Sequence, residues 1–93
     1  MYVVVAFDIS EERVRGRLRR FLRNNGFSRV NRSVYSAVGG EKLAARVAEE
    51  AARIVGERDH VFVITVLEQE YHRAIVVEKD RVERVEDRVF EVL

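Results

Sequence analysis

A strongly apolar segment near the start of the chain, Tyr2–Phe7, ends at a single carboxylate, Asp8. Its β-branched and aromatic residues predict a strand over residues 2–8, apolar enough to be buried on both faces. An arginine-studded helical pattern follows at once, so we expect Asp8 at a strand-to-helix junction, where α/β units commonly bind ligands. A carboxylate there needs a partner, a metal ion or an exposed strand end. Alternatively, Asp8 only begins the turn, with Ser10 as the N-cap of the helix.

Two segments have the spacing of amphipathic helices. Residues 10–24 predict a first helix that ends just before Gly26, and residues 41–55 predict a second helix after the break at Gly39-Gly40. Each predicted helix has one apolar stripe that can pack against a sheet. The stripes consist of Val14, Leu18, Phe21 and Leu22 in the first helix and Leu43, Val47, Ala51 and Ile54 in the second.

The remaining segments are rich in β-branched and aromatic residues. Residues 27–38 predict either one kinked strand or a short hairpin that bends at residues 31–33. Further strands are expected at about 60–67 and 71–78, and after Lys79 a terminal strand is favoured over a helix. This order predicts an α+β, ferredoxin-like two-layer sandwich, whose antiparallel sheet carries both helices on one face.

Length and composition limit the classes of protein that fit. The 93 residues form a single domain, 1–93, and a domain of this size buries only about 60 to 65% of its unfolded surface, so oligomerisation is expected. No apolar run reaches the roughly 18 residues that span a bilayer, and no signal peptide is recognisable, so we expect a cytoplasmic protein without a membrane partner. Because cysteine is absent, any metal ion would be bound by oxygen.

Charge is segregated along the chain, although the net charge is only +1. Residues 1–46 carry ten Arg or Lys against four acidic residues, a net of +6, whereas residues 47–93 carry seven against twelve, a net of −5. Fifteen of the 17 basic residues are arginine, whose planar fork suits bidentate phosphate contacts. The first half therefore indicates a surface for a polyanion, unless the two halves only neutralise each other in the fold or a dimer.

Two motifs carry a resemblance to a known family. Phe7-Asp8-Ile9 is similar to an aromatic-Asp-Ile motif, and Arg29–Tyr35 is similar to a strand of the pattern Arg-Val-Gln-x-Ser-Val-Phe. Together, at this spacing and in a chain this short, they resemble the small CRISPR-associated endoribonucleases, the lesser partners of the CRISPR spacer-integration complex. The similarity covers nearly the whole chain, and its specific part is residues 2–36.

The resemblance implies a homodimer in which a terminal segment, residues 80–93, docks on the partner protomer. Asp8 from each copy would face the other across the two-fold axis, where it would act as the catalytic residue and as a ligand of Mg²⁺ or Mn²⁺. The resemblance also places the family's functional arginines at Arg15, Arg17 and Arg29. We expect these three to bind nucleic acid, either duplex DNA or single-stranded RNA.

Other polar and aromatic side chains are weaker candidates. Supporting roles beside Asp8 are predicted for Phe7, Ser10, Ser33 and Tyr35. Phe7 stands where the family usually has tyrosine, and this removes a hydroxyl that could hydrogen-bond a phosphate or a water. His60 and His72 each lie near the start of a predicted strand, and structural or surface roles are favoured for both.

Two functions from different classes remain open for such a chain. In the first, the protein takes part in CRISPR spacer acquisition with the integrase subunit and is a Mg²⁺-dependent endoribonuclease or endonuclease. In the second, it is a non-catalytic, dimeric DNA-binding adaptor of the integration complex, which needs the basic surface and the dimer but no metal ion. A generic ferredoxin-like binding domain would have no reason to combine Asp8 with the arginines.

Overall fold

The computed structural model describes residues 1–79 and 81–87 as one antiparallel four-stranded sheet, two long helices and a small hairpin. The elements are β1 (Tyr2–Asp8), α1 (Glu12–Asn24), β2 (Ser28–Asn31), β3 (Val34–Val38), α2 (Glu41–Ile54), β4 (His60–Val66), α3 (Glu68–His72), β5 (Ile75–Glu78), β6 (Arg81–Arg84) and a 3₁₀ turn (Val85–Asp87). The sheet has the order β2-β3-β1-β4. This succession and order are ferredoxin-like, so the predicted fold class is confirmed.

The main core lies between the sheet and the two long helices. Leu18 and Leu22 of α1 and Val47 of α2 are fully buried, and they cluster with Val3 and Val5 of β1. The remaining members of the predicted stripes either belong to this core or pack against it. The helical stripes are therefore confirmed, and the opposite side of the sheet, called the open face below, is left without a long helix.

The segment 27–38 forms a hairpin rather than a kinked strand. Gly26, at φ 85°, ends α1 in the left-handed conformation that glycine adopts most easily, and the chain then enters β2. The turn between β2 and β3 is closed by Asn31, whose side-chain oxygen accepts a hydrogen bond from the Ser33 N–H at 3.0 Å. A register shift between Arg29 and Asn31 marks a bulge in the same hairpin.

The hairpin of β5 and β6 covers part of the open face. Val76 and Val85 are buried there against Val30 and Tyr71, and this second cluster also contacts Tyr2 of β1. The ring of Tyr2 stacks on that of Tyr71 with centroids 4.1 Å apart. Since β5 pairs with β6 in antiparallel register, the hairpin forms within one chain.

The prediction of Ser10 as the N-cap of the first helix is wrong. The helix begins at Glu12, with Glu11 in the N-cap position and no side chain capping the helix. Ser10 lies one residue too early, and its own N–H donates to the carboxylate of Asp59 at 3.4 Å. A contact from a distant part of the chain therefore engages the backbone of Ser10.

The predicted strand at 71–78 is wrong in its first half. Residues Glu68–His72 form α3, and the strand begins only at Ile75. The Glu70 carboxylate accepts a hydrogen bond from the Leu67 N–H at 3.0 Å, which stabilises the first turn of this helix. His72 accordingly lies on a helix and not near the start of a strand.

The predicted terminal strand is present over Arg81–Arg84, which pairs with Ile75–Glu78 of the same chain, but the prediction is wrong for Val85–Asp87, which form a 3₁₀ turn. The remainder of that prediction, residues 88–93, lies outside the described residues, as does Asp80. Docking of residues 80–93 on a partner protomer therefore stays a prediction. Among the described residues, no helix is both long and apolar enough to cross a membrane.

We expect Tyr71→Phe to lower the free energy of unfolding by about 1–3 kcal/mol. The Tyr71 hydroxyl makes a 2.5 Å hydrogen bond with the hydroxyl of Ser36, which is 4% exposed and would lose this partner. Urea unfolding at a fixed protein concentration measures the change. Tyr2→Phe is the matched control, because the Tyr2 hydroxyl only reaches His72 at 3.4 Å and in a part-buried position. Equal effects of the two changes would contradict the expectation.

Candidate functional site

Asp8 is the last residue of β1, an interior strand of the sheet. Side chains alternate between the two faces of a strand, so the burial of Val5 and Phe7 beneath the helices places Asp8 on the open face. Asp8 is exposed, and within residues 1–79 and 81–87 its carboxylate has no hydrogen bond or ion pair. A charged side chain is tolerated at this position because the end of the strand is exposed to solvent. The carboxylate oxygens of Asp8 are therefore accessible to a ligand.

Two other strand ends meet β1 at Asp8. His60, the first residue of β4, is the direct partner of Asp8 in the antiparallel register. On the other side, the Phe7 N–H donates to the Ser33 carbonyl at 3.0 Å, so the turn of Arg32 and Ser33 adjoins this end of β1. The structure therefore brings Ser33 near Asp8, and its supporting role stays a prediction.

The loop that follows Asp8 is held by Arg15. One guanidinium nitrogen donates to the Ile9 carbonyl at 2.7 Å and to the Ser10 carbonyl at 3.3 Å. The same guanidinium forms a forked pair with Glu12, and this hydrogen bond, followed by the charge of Arg15, lowers the pKa of Glu12. The Arg15 side chain is thus engaged by the chain's own acceptors and shapes the loop beside Asp8.

Arg32 and His60 are the residues near Asp8 that sequence reasoning did not select. Arg32 is exposed in the turn beside β1, and its charge contributes, after that of Arg15 and Arg19, to the lowered pKa of Glu12. In the motif Arg32 occupied only a spacer position, and His60 was assigned a structural or surface role. The register of β1 and β4 identifies His60, and the backbone hydrogen bond between Phe7 and Ser33 identifies the turn of Arg32; both depend on pairing between distant segments.

Arg17 and Arg29 lie on a different surface from Asp8. Arg29 is the register partner of Tyr35, whose side chain belongs to the main core, so Arg29 projects on the helix side of the sheet at its β2 edge. Arg23 of α1 approaches the same Tyr35 hydroxyl at 3.5 Å. Arg17 is exposed on α1, so Arg17 and Arg29 both lie on the helix side, and we call the helix-side surface that carries these two arginines the basic surface.

The two aromatic candidates contribute to the core. Phe7 is 5% exposed and Tyr35 is 1% exposed, and their ring centroids are 6.0 Å apart in the main core. Both side chains therefore lie on the side of the sheet away from the Asp8 carboxylate. They can support Asp8 only by fixing the positions of β1 and β3.

A single chain supplies few metal ligands. Within the described ranges, no group of three or more His, Cys, Asp or Glu side chains could hold a metal ion. The Asp8 carboxylate is nevertheless the hard oxygen donor that Mg²⁺ prefers, and Mg²⁺ is often held by only one or two carboxylates together with waters and substrate phosphate. One chain provides a single carboxylate, the smallest number that holds Mg²⁺ in this way. Two copies joined near Asp8 would provide two carboxylates.

An apolar surface adjoins Asp8 on the open face. Phe62 is 62% exposed and Ile64 is 42% exposed, and they are the register partners of Ala6 and Val4 in β1. We call these two residues the Phe62–Ile64 patch. Exposed apolar side chains of this size beside a polar site are typical of an interaction surface.

Comparisons with known proteins identify relatives of this chain. The sequence profile of the family described as CRISPR associated protein Cas2 matches residues 1–74. The chain is 53% identical over 92 residues, 99% of each protein, to a CRISPR-associated endoribonuclease Cas2 of Thermofilum pendens. It is 40% identical over 55 residues, 59% of this chain and 21% of the other, to a CRISPR-associated endonuclease Cas1/endonuclease Cas2 fusion of Thermoproteus tenax.

A solved structure supports the fold. The crystal structure of Streptococcus pyogenes Cas2 at pH 6.5 superposes with a TM-score of 0.67 and 20% sequence identity, covering 84% of this chain and all of that one. Because the family profile spans most of the chain and the Thermofilum relative matches nearly all of it, the protein belongs to the Cas2 family of CRISPR-associated proteins.

Proposed function

We propose that this protein takes part in CRISPR spacer acquisition as a homodimer, and that it cuts phosphodiester bonds at Asp8 with Mg²⁺ or Mn²⁺. The observation that carries the proposal is the position of Asp8 at the exposed end of an interior strand, where its carboxylate has no partner among the described residues. The endoribonuclease name of the Thermofilum relative supports a nuclease. The fused Cas1 and Cas2 of Thermoproteus support a Cas1 protein, the expected integrase subunit, as the partner.

A second copy of this chain is the occupant that the Phe62–Ile64 patch fits best. The patch lies on the same face as Asp8 and His60, so a two-fold axis near it would bring the two Asp8 carboxylates together. A domain this small also gains from burying apolar surface in an oligomer. The dimer supplies the second carboxylate that one chain lacks.

In this dimer the two copies of Asp8 would hold the cation, which when bound neutralises the phosphate and lowers the pKa of an attacking water. The chain's own residues position the site and its substrate. Arg15 fixes the loop after Asp8 through the Ile9 carbonyl, which holds the end of β1 in place. Arg32, exposed in the neighbouring turn, supplies positive charge for a substrate phosphate.

The adaptor function remains the second candidate, because one observation favours it. Arg17 and Arg29 lie on the helix side of the sheet, whereas the side chain of Asp8 projects from the opposite face. Duplex DNA bound along this basic surface would not contact Asp8. Holding DNA and cutting nucleic acid would then be separate activities of the same dimer.

We expect Arg17→Ala/Arg29→Ala to weaken duplex DNA binding and to reduce the slope of log K against log salt by about 0.9 for each lost phosphate contact. Arg15 is left unchanged because it holds the loop beside Asp8. The matched control is Arg46→Ala/Arg58→Ala, which removes two other exposed arginines and the same net charge. A salt slope equal to that of the control would exclude the basic surface as the DNA site.

The same variants separate the two candidate functions. Cleavage of a short single-stranded RNA should persist in Arg17→Ala/Arg29→Ala, while integration with the Cas1 partner declines together with duplex binding. The decisive measurement for the enzyme is cleavage of RNA and of duplex DNA by the wild-type protein with Mg²⁺ or Mn²⁺. If neither substrate is cut while integration proceeds, the nuclease proposal is rejected and the adaptor stands.

A further inference from the structure

His60 lies beside Asp8 in a defined geometry. The two residues are directly opposite each other in the antiparallel pair of β1 and β4. Opposite residues of such a pair project on the same face, with Cβ atoms about 4.5–5.5 Å apart. Both are exposed, and among residues 1–79 and 81–87 neither the carboxylate nor the imidazole has a hydrogen-bonding partner.

The backbone segments that carry these side chains are tied together. The Asp59 carboxylate, adjacent to His60, accepts hydrogen bonds from the Gly56 N–H at 2.8 Å and the Ser10 N–H at 3.4 Å. The loop of Ser10 is held from its other side by Arg15, which donates to the Ser10 carbonyl at 3.3 Å. The two strand ends are therefore fixed relative to each other, and no partner within the described residues occupies either side chain, so both are available to an ion.

The spacing suits coordination of one ion by both side chains. Neighbouring donors of an octahedral ion at about 2.1 Å lie about 3 Å apart, which two side chains on adjacent strands can reach from their Cβ separation. An imidazole nitrogen suits first-row transition ions, whereas Mg²⁺ favours oxygen. A carboxylate–imidazole pair therefore favours first-row transition ions over Mg²⁺, a preference that a carboxylate alone would not give.

We propose that His60 is a ligand of the same cation as Asp8, and that the site selects a first-row transition ion over Mg²⁺. The inference rests on the proposed function, since it assigns a further ligand to the Asp8 site. In a dimer joined near this site, the two chains would provide two carboxylates and two imidazoles. This donor set is sufficient for a metal centre without any other protein ligand.

The test is cation binding by the untagged, full-length protein, measured by titration calorimetry with Co²⁺ and with Mg²⁺. His60→Asn should weaken Co²⁺ binding by roughly tenfold or more and change Mg²⁺ binding much less. His72→Asn is the matched control, because His72 lies on α3 at the other end of β1, near Tyr2, and should leave both affinities unchanged. Asp8→Asn should weaken both cations strongly.

A spectroscopic signature accompanies the affinities. Co²⁺ bound to His60 shifts the ring-proton resonances of one histidine far outside the normal NMR range, and this signal should vanish in His60→Asn and persist in His72→Asn. Unchanged Co²⁺ binding and spectra in both His60→Asn and His60→Gln would overturn the inference. In that case a strong effect of Asp8→Asn would still support the proposed function, whereas no effect of Asp8→Asn would reject both.

Discussion

Asp8→Asn should reduce metal-dependent cleavage to the level measured with EDTA while the protein stays folded and binds duplex DNA. The amide keeps the shape of the side chain but removes the charge that holds a hard cation. Asp8 is exposed and has no hydrogen bond or ion pair in the described part of the chain, so no native contact is lost with the charge. The arginines on the helix side are unaffected, and removing an anion changes duplex affinity little.

The matched control for this change is Glu57→Gln, which removes the charge of another exposed carboxylate in the same isosteric way. Cleavage, duplex binding and integration with the Cas1 partner are measured on all three proteins. We expect cleavage to be lost and integration to be kept in Asp8→Asn, as an adaptor with a separable nuclease site would behave. Loss of both activities would favour an enzymatic role in integration, and cleavage equal to wild type would remove Asp8 from the mechanism.

Local patterns were sufficient for much of the fold. The helical stripes around Leu18 and Val47 and the apolar run before Asp8 predicted the two long helices and the first strand, because burial of a periodic face dominates these segments. The Ser10 cap and the strand start at Tyr71 were wrong for two different reasons. A distant carboxylate, Asp59, bonds the first segment, and a helix turn with its acidic cap forms in the second.

The candidate site was only partly predictable, because long-range register determines it. The motif identified Asp8, but the partnership of Asp8 with His60 follows from pairing between β1 and β4, which no local pattern specifies. The pairing of β3 with β1 and with β2 also divides the predicted residues between the two faces of the sheet. Arg29 lies on the helix side with Tyr35, whereas Asp8 projects from the other face. Arg29 and Asp8 of one chain therefore do not belong to a single site.

If the protein forms the proposed homodimer, Phe62→Asp should convert it into a folded monomer, abolish cleavage and weaken cation binding, because each monomer keeps only one Asp8–His60 pair. Phe62 is 62% exposed in the single chain, so an aspartate there stays hydrated and leaves the free energy of unfolding of the monomer nearly unchanged, within about 0.5 kcal/mol. In a dimer the same carboxylate would be buried against apolar surface without a partner, which is strongly unfavourable. Sedimentation at micromolar concentration measures the change in mass.

The control for this change is Val38→Asp, which places the same charge on another exposed apolar residue, 74% exposed, at the far end of β3 from the turn beside Asp8. This variant should remain dimeric and active. If Phe62→Asp also remains a dimer, the Phe62–Ile64 patch is not the interface, and dissociation on deletion of residues 88–93 would then assign dimerisation to the terminal segment. If Phe62→Asp is monomeric but still cuts, one Asp8 is sufficient, and the argument that the dimer completes the metal site fails.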